Sequence, residues 1–150
     1  MSRVKLDLPE RVVFSTEIPI RISDVNYGGH VGNDAFLALA HEARLRFLQH
    51  FGYGEQDIEG RGIIMSDAAI VYRSESFYGD VLRVDIGIGS FTQIGCDILY
   101  AFWNKQSGKE VARLKTGIVF FDYASRKPVP VPKRFQDLFI NPSAPPSCEV

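Results

Sequence analysis

The sequence predicts an α+β fold, in which an antiparallel sheet of about five strands wraps around one long central helix. Two observations support this prediction. A single long helical pattern is followed by four strand-like segments, and the connections between those segments are too short to contain crossover helices. The 150 residues, 45% of them hydrophobic, are enough for one domain with its own core. We expect that domain to span residues 1–140, with a disordered tail at 141–150.

Five segments have the pattern of strands. In the first, Phe14–Ile22, apolar and polar residues alternate with a period of two. Pro19 lies within it, and because proline cannot donate a ladder hydrogen bond, it indicates an edge strand or a bulge. The remaining strands are predicted at Ile63–Phe77, Leu82–Ile88, Ile94–Trp103 and Ala112–Tyr123. Aromatic residues are frequent in these strands, so a face or an edge of the sheet should require a second subunit.

The central helix is predicted at Ala35–Phe51, where apolar residues recur every three or four positions. Asn33 or Asp34 is a suitable N-cap, and Gly52 is a suitable C-terminal stop. The first half of the segment is nearly all apolar, so we expect a buried helix. Its second half should direct its polar residues to solvent or to a partner: Glu42, Arg44, Arg46 and Gln49.

Charge is balanced overall but uneven along the chain. The net charge of −1 argues against a dedicated nucleic-acid binder. Between Ile98 and Arg134, however, eight Lys and Arg residues face only Glu110 and Asp122. This segment is either a solvated face of the sheet or a patch that attracts a phosphorylated ligand.

Cysteine and histidine placement excludes two classes of site. Cys96 and Cys148 lie far apart, which argues against a disulfide framework or a thiolate metal site. His41 and His50 are too far apart along the helix to lie side by side, so metal binding is not expected. The sequence begins without a signal-peptide pattern and contains no apolar stretch of about 20 residues. We therefore expect a reduced, cytoplasmic protein without a membrane span.

The loop Asp24–Asp34, DVNYGGHVGND, is the most informative polar stretch. Its glycines let another molecule approach the backbone closely, and the helix that follows presents unpaired amides with a partial positive charge. Such a loop can hold an oxyanion or a phosphate, or it can simply connect a strand to a capped helix. His30 can act as a base or a donor, or be structural. Asp24 can simply cap the turn.

Three segments carry a family resemblance. They are SDVNYGGHVGNDAF at the loop, HEARLRFL in the helix and YRSESFYGD from Tyr72 to Asp80. In order and spacing they resemble the hotdog-fold acyl-CoA thioesterases of the 4-hydroxybenzoyl-CoA thioesterase type. The resemblance extends from Phe14 to about Pro132. It implies hydrolysis of a thioester of coenzyme A, or of an acyl carrier protein, in a cleft between two subunits.

The resemblance also assigns roles to individual residues, with one departure. It implies that the thioester carbonyl faces the backbone N–H of Asn33, while a carboxylate activates water. The family's catalytic aspartate falls at Asn26, whose amide cannot take a proton at neutral pH. Three alternatives stay open. In the first, Glu42 reaches the site from a second subunit as the base, while Asn26 orients water or the carbonyl. In the second, Asp24 or His30 is the base, and in the third, the protein binds acyl thioesters without rapid turnover.

Further implications concern the substrate and the assembly. The resemblance places the acyl group among Phe36, Ile64, Met65 and Phe77, and the CoA phosphates against basic strands that contain Arg113 and Lys115. No cofactor is expected, because coenzyme A is part of the substrate. The expected assembly is a homodimer, or a tetramer of two dimers. A hotdog hydratase is a further alternative, since Asp24, Asn26, His30 and Asp34 loosely resemble its motif, but with longer spacing.

Overall fold

The computed structural model describes residues 3–140. Its two helices are α1 (Ala35–His50) and α2 (Lys133–Ile140). Its strands are β1 (Phe14–Pro19), β2 (Gly62–Tyr72), β3 (Val81–Gly89), β4 (Gly95–Asn104), β5 (Glu110–Asp122) and β6 (Lys127–Pro128). The tail predicted at 141–150 lies outside the described residues.

The strands form one antiparallel sheet in the order β1-β3-β4-β5-β2, and the short β6 pairs with the end of β5. This arrangement, together with α1, confirms the predicted α+β fold. Within residues 3–140 β1 pairs only with β3, so of the two possibilities that Pro19 indicated, an edge strand or a bulge, the edge strand is confirmed. β2 forms the opposite edge and contains a bulge between Met65 and Asp67.

Helix α1 packs on the inner face of the sheet, as the apolar pattern predicted. Leu39, Ala40 and Ala43 are buried, and Phe36 packs edge-on against Phe102 of β4 with ring centroids 5.5 Å apart. Burying each large apolar side chain of this kind stabilises the fold by about 1.5–3 kcal/mol. The helix ends before Gly52, whose φ of 81° is the left-handed conformation that glycine adopts without strain.

Several boundaries differ from the prediction. β1 ends at Pro19, and Ile22 lies exposed in a short 3₁₀ turn (Ile22–Asp24). The amide of Asp24 closes this turn by donating to the carbonyl of Arg21 at 2.9 Å. Neither predicted N-cap side chain caps α1, since the side-chain Oδ1 of Asn33 accepts from the neighbouring amide of Asp34. Arg44 was expected at the surface but is buried.

The C-terminal helix α2 was missed by the sequence analysis. It has eight residues, too few for its periodicity to stand out. Phe135 and Phe139 of this helix are buried, with ring centroids 4.9 Å apart, and they pack against Phe47 of α1 and Phe120 of β5. These aromatic contacts close one end of the core.

Candidate active site

The polar loop is folded by its own backbone and attached to the segment after β2. The amide of Asn26 donates to the carbonyl of His30 at 2.9 Å, and the amide of Val31 donates to the carbonyl of Ser76 at 2.8 Å. A Cβ on Gly32 would lie 2.7 Å from Asp34 Oδ1, so a larger residue there would displace the Asp34 side chain. The loop is therefore fixed beside residues 73–76.

A cavity of about 290 Å³ lies between this loop, the start of α1 and the segment after β2. It brings together three of the predicted site residues: His30, Asn33 and Phe36. It also contains residues that the sequence analysis did not assign to the site. These are Val31, Tyr72, Arg73, Ser74, Glu75 and Ser76. Their proximity results from the pairing of β2 with the sheet, which no local pattern records.

Asn33 lines this cavity and has an available backbone donor. No hydrogen bond among residues 3–140 uses its backbone N–H, and the positive end of the α1 dipole lies at this point. Its carbonyl accepts from Tyr72 Oη at 2.9 Å, which fixes the orientation of the peptide. Burial raises the pKa of Tyr72, and the negative charge of Asp34 adds a smaller increase. The phenol therefore stays protonated and remains a donor. The geometry suits an oxyanion.

His30 presents a second functional group. Its Nδ1 lies 3.0 Å from the carbonyl oxygen of Val31, and because a carbonyl only accepts, Nδ1 carries the proton. Nε2 is then free to take a proton. Asn26 lies beside it, since a Cβ on Gly28 would be 3.4 Å from His30 Nε2 and 3.2 Å from Asn26 Oδ1. That oxygen accepts from the amide of Gly28 at 2.8 Å.

The two candidate carboxylates lie outside this cavity. Asp24 is buried and accepts from the backbone N–H of Arg21 at 2.8 Å, which makes it a cap of the short 3₁₀ turn. Glu42 is exposed, and its Oε2 accepts from Arg46 Nε at 2.8 Å. Nine helical residues separate Glu42 from Asn33, or about 13 Å. Within one chain, neither carboxylate is placed to activate water beside Asn33.

The predicted acyl-binding residues are divided among different surfaces. Phe36 lines the cavity, but Ile64 and Met65 are consecutive in β2 and point to opposite faces of the sheet. Met65 pairs with the buried Ile118 and lines a separate cavity, whereas Ile64 lies on the outer face. Phe77 follows β2 in a loop and is half exposed. These three residues do not share the cavity with Phe36.

The predicted phosphate-binding residues are on the outer face of β5, away from the cavity. The guanidinium of Arg113 bonds to Glu110, and its hydrogen bond lowers the pKa of that carboxyl group. Lys115 Nζ lies 2.9 Å from both carboxylate oxygens of Asp67. Both cations are therefore paired. Arg73 lies beside the cavity, partly exposed, with its Nε 3.8 Å from Glu110.

The described residues show neither a metal cluster nor a membrane-spanning helix. Within 3–140, no three His, Cys, Asp or Glu side chains come close enough to hold a metal ion. In the same part of the chain, no helix has the length and apolar character required to cross a membrane.

A sheet wrapped around one central helix, with a polar loop at the start of that helix, defines a hotdog-fold protein. A sequence profile of the thioesterase-like superfamily matches residues 20–139. The chain belongs to this superfamily, as the three motif segments predicted. No curated protein sequence matches the chain at a significant level.

Solved structures share the fold at low sequence identity. A 1,4-dihydroxy-2-naphthoyl-CoA thioesterase from Synechocystis superposes with a TM-score of 0.78 and 24% identity, covering 88% of this chain and 98% of its own. A DHNA-CoA thioesterase from Staphylococcus aureus superposes with a TM-score of 0.72 and 20% identity, covering 82% of this chain and 83% of its own. A thioesterase-superfamily protein from Jannaschia superposes with a TM-score of 0.79 and 16% identity, covering 89% of this chain and 84% of its own.

Proposed function

We propose that the protein hydrolyses acyl thioesters of coenzyme A to a free acid and a thiol. The unpaired amide of Asn33, which borders the same cavity as His30, is the observation that carries this proposal. Membership of the thioesterase-like superfamily supports thioester hydrolysis. The two CoA thioesterases that share the fold support coenzyme A as the carrier. No cofactor takes part, because coenzyme A belongs to the substrate.

In this proposal Asn33, His30 and Arg73 of the cavity and Asn26 beside His30 each have one task. The thioester carbonyl accepts from the Asn33 amide, which stabilises the negative charge that develops on its oxygen. His30 Nε2 takes a proton from the attacking water, and Asn26 orients that water. The carbon–sulfur bond then breaks, and the thiolate receives the proton from His30. We assign the proton transfer to His30 because neither of the two carboxylates that the sequence analysis considered, Asp24 and Glu42, lines the cavity. Arg73 meets the phosphates at the cavity mouth.

We also propose that the protein acts as a homodimer, or as a pair of dimers. In the described sheet β2 pairs only with β5, so its outer edge is free to pair with another chain. Exposed Leu37 and Met65 flank that edge on the inner face. Light scattering after gel filtration should give twice or four times the chain mass, and a monomer at micromolar concentration would contradict this assembly.

The test is thiol release by the purified protein from short, long and aromatic acyl-CoAs. We expect His30→Gln to lower kcat by roughly 10²–10⁴-fold, because it removes the proton acceptor. Glu42→Gln, at the Arg46 ion pair outside the cavity, should leave kcat nearly unchanged. Loss of turnover in Glu42→Gln instead would identify the helix carboxylate as the base, supplied by a second subunit.

Asn26 favours a second candidate function, in which the protein binds acyl thioesters without hydrolysing them. An amide in place of the expected carboxylate is the observation behind it. No thiol release from any acyl-CoA by the unaltered protein, with activity appearing in Asn26→Asp, would establish this candidate. Release of a hydrated acyl-CoA from an enoyl-CoA, without free thiol, would instead establish the hydratase alternative.

A further inference from the structure

One wall of the candidate active site is attached to the start of β5. The carbonyl of Val111 accepts from the amide of Arg73 at 2.8 Å and from the amide of Ser74 at 3.1 Å. The carbonyl of Glu110 accepts from Ser74 Oγ at 2.7 Å. Arg73 and Ser74 both line the cavity. Because these bonds fix their backbone, the position of the Arg73 guanidinium depends on which partner its side chain finds.

Two arginines lie beside a single carboxylate at this point. Nε and Nη2 of Arg113 donate to the two carboxylate oxygens of Glu110, the second at 3.3 Å. Arg73 Nε lies 3.8 Å from Glu110 Oε1, which is too far for a hydrogen bond. Glu110 therefore accepts from Arg113 and not from Arg73. The side chain of Arg73 is 47% exposed, whereas that of Arg113 is 18% exposed.

The N-terminal segment holds Arg113 in this position. Arg113 Nη1 donates to the carbonyl of Leu6 at 2.9 Å, so all three nitrogens of the guanidinium have a partner. Pro9, in the same segment, packs against β3 so closely that a Cβ on Gly87 would lie 2.5 Å from its own Cβ. Arg113 is thus the fixed partner of Glu110, and Arg73 is the one that can turn to a ligand.

We propose that Arg113 is a positioning residue, which holds the Glu110 carboxylate and so leaves Arg73 available to the phosphates of coenzyme A. This inference rests on the proposed function, in which Arg73 meets those phosphates. It gives Arg113 an indirect task in place of the direct phosphate contact that the resemblance implied. Without Arg113, the carboxylate would draw in the cation that lies 3.8 Å away, and Arg73 would turn from the ligand to Glu110.

Binding of coenzyme A to the full chain, measured by isothermal titration calorimetry, tests this without turnover. Arg113→Gln should weaken binding about tenfold, as expected when one charge-assisted hydrogen bond to the ligand is lost. The double variant Glu110→Gln/Arg113→Gln should bind as tightly as the unaltered protein, because a neutral amide does not hold Arg73. Lys105→Gln is the charge-matched control, since it breaks an exposed ion pair with Glu17, and it should change the affinity less than about twofold.

Three results of this titration would overturn the inference. The first is unchanged binding in Arg113→Gln. The second is weakened binding that Glu110→Gln does not reverse, which would give Arg113 a structural role alone. The third is equal recovery in Glu75→Gln/Arg113→Gln, because Glu75 also lines the cavity and net charge would then explain the effect.

A milder variant covers the case in which Arg113→Gln does not fold. In Arg113→Lys the single ammonium group occupies one oxygen of Glu110 and leaves the other for Arg73. Binding of coenzyme A should weaken by about threefold and should recover when Glu110→Gln is added. Full affinity in Arg113→Lys, or weakening without recovery, would overturn the inference in that case.

Kinetics separate this inference from the proposed function. Arg113→Gln should raise KM for acyl-CoA about tenfold and leave kcat nearly unchanged, because the phosphates take no part in breaking the thioester. With acyl-pantetheine, which lacks the nucleotide, the variant and the unaltered protein should have the same KM. An equal rise in KM for both substrates would overturn the inference and leave the proposed function standing. Absence of thiol release would contradict the proposed function, and absence of coenzyme A binding would overturn the inference.

Discussion

At the residue scale, Asn26 occupies the position where the family's catalytic aspartate is expected. Its side-chain oxygen accepts from the amide of Gly28, a role that an aspartate can also perform. The change therefore removes a potential base while leaving the loop geometry intact. It explains why His30, the neighbouring group with a free ring nitrogen, has the central role in the proposed mechanism.

Asn26→Asp should increase thiol release by roughly tenfold or more, because it restores a proton acceptor beside the proposed water. The measurement is the initial rate of thiol release from the acyl-CoA that the unaltered protein hydrolyses fastest. Asn104→Asp is the control, since Asn104 Oδ1 also accepts from backbone amides, those of Gln106 and Ser107, in a remote turn. A rate unchanged or lowered by Asn26→Asp would mean that no proton acceptor is needed at position 26.

Cys96 should be unreactive in the folded protein. Burial, with a smaller effect of Asp97, raises the pKa of its thiol to about 12, so at pH 8 about one molecule in ten thousand carries the thiolate. A Cys148→Ser protein should therefore react with Ellman's reagent only after unfolding in denaturant. Rapid reaction of the native variant would show that the strand around Cys96 opens readily.

At the scale of elements, the close pairing of β4 with β5 depends on Gly95. A Cβ there would lie 2.1 Å from the carbonyl oxygen of Ile118, which is closer than any real contact. Gly89, at the end of β3, has nothing within 4 Å of its hypothetical Cβ.

Gly95→Ala should lower the free energy of unfolding by roughly 1–3 kcal/mol, because the strands must separate to admit the methyl group. Gly89→Ala should change it by less than about 0.5 kcal/mol. Urea denaturation of both variants gives the comparison. Equal stabilities would show that the sheet can relax at β4 without cost.

Helix α2 contributes through its aromatic face. Phe135→Ala should lower the free energy of unfolding by about 3–5 kcal/mol, since it empties a fully buried site between Phe120 and Phe139. Asp137→Ala, exposed on the same helix, should have little effect. If the melting temperature shifts by the same amount in the two variants, α2 does not form part of the cooperative core.

At the scale of the whole molecule, carboxylates of the sheet and its turns should make the protein sensitive to acid. The pKa of Glu110 is lowered by its hydrogen bond with Arg113, and the pKa of Asp67 by its hydrogen bond with Lys115. A folded-state pKa below the unfolded value means that the ionised form stabilises the fold. That stability is fully present above the unfolded value and is lost as the pH falls through the folded value.

Melting temperature should therefore fall between about pH 5 and pH 3. Glu110→Gln should melt lower than the unaltered protein at pH 7, and the difference should shrink as the pH falls. A constant difference across this range would show that the Glu110–Arg113 pair does not contribute through its charge.

The sequence by itself determined the five long strands, the central helix and the family, but not α2. Periodicity of two and of three to four residues is a local property, so it located the strands and α1 and also the loop at the start of α1. Order and spacing of three motifs were enough for the superfamily. Strand ends were less certain, because Ile22 and Phe77 leave the sheet for short local turns, in which their carbonyls accept from the amides of Val25 and Asp80.

Only the tertiary structure decided which residues meet. The pairing of β2 with β5 places Tyr72 and the segment that follows it beside Asn33, and the alternation of β2 puts Ile64 and Met65 on opposite faces. The pairing of β2 with β5 also places Asp67 beside Lys115, while the pairing of β4 with β5 brings Tyr100 and Thr116 together with Arg44 of α1. A local pattern cannot encode these contacts, because they join residues tens of positions apart through the sheet.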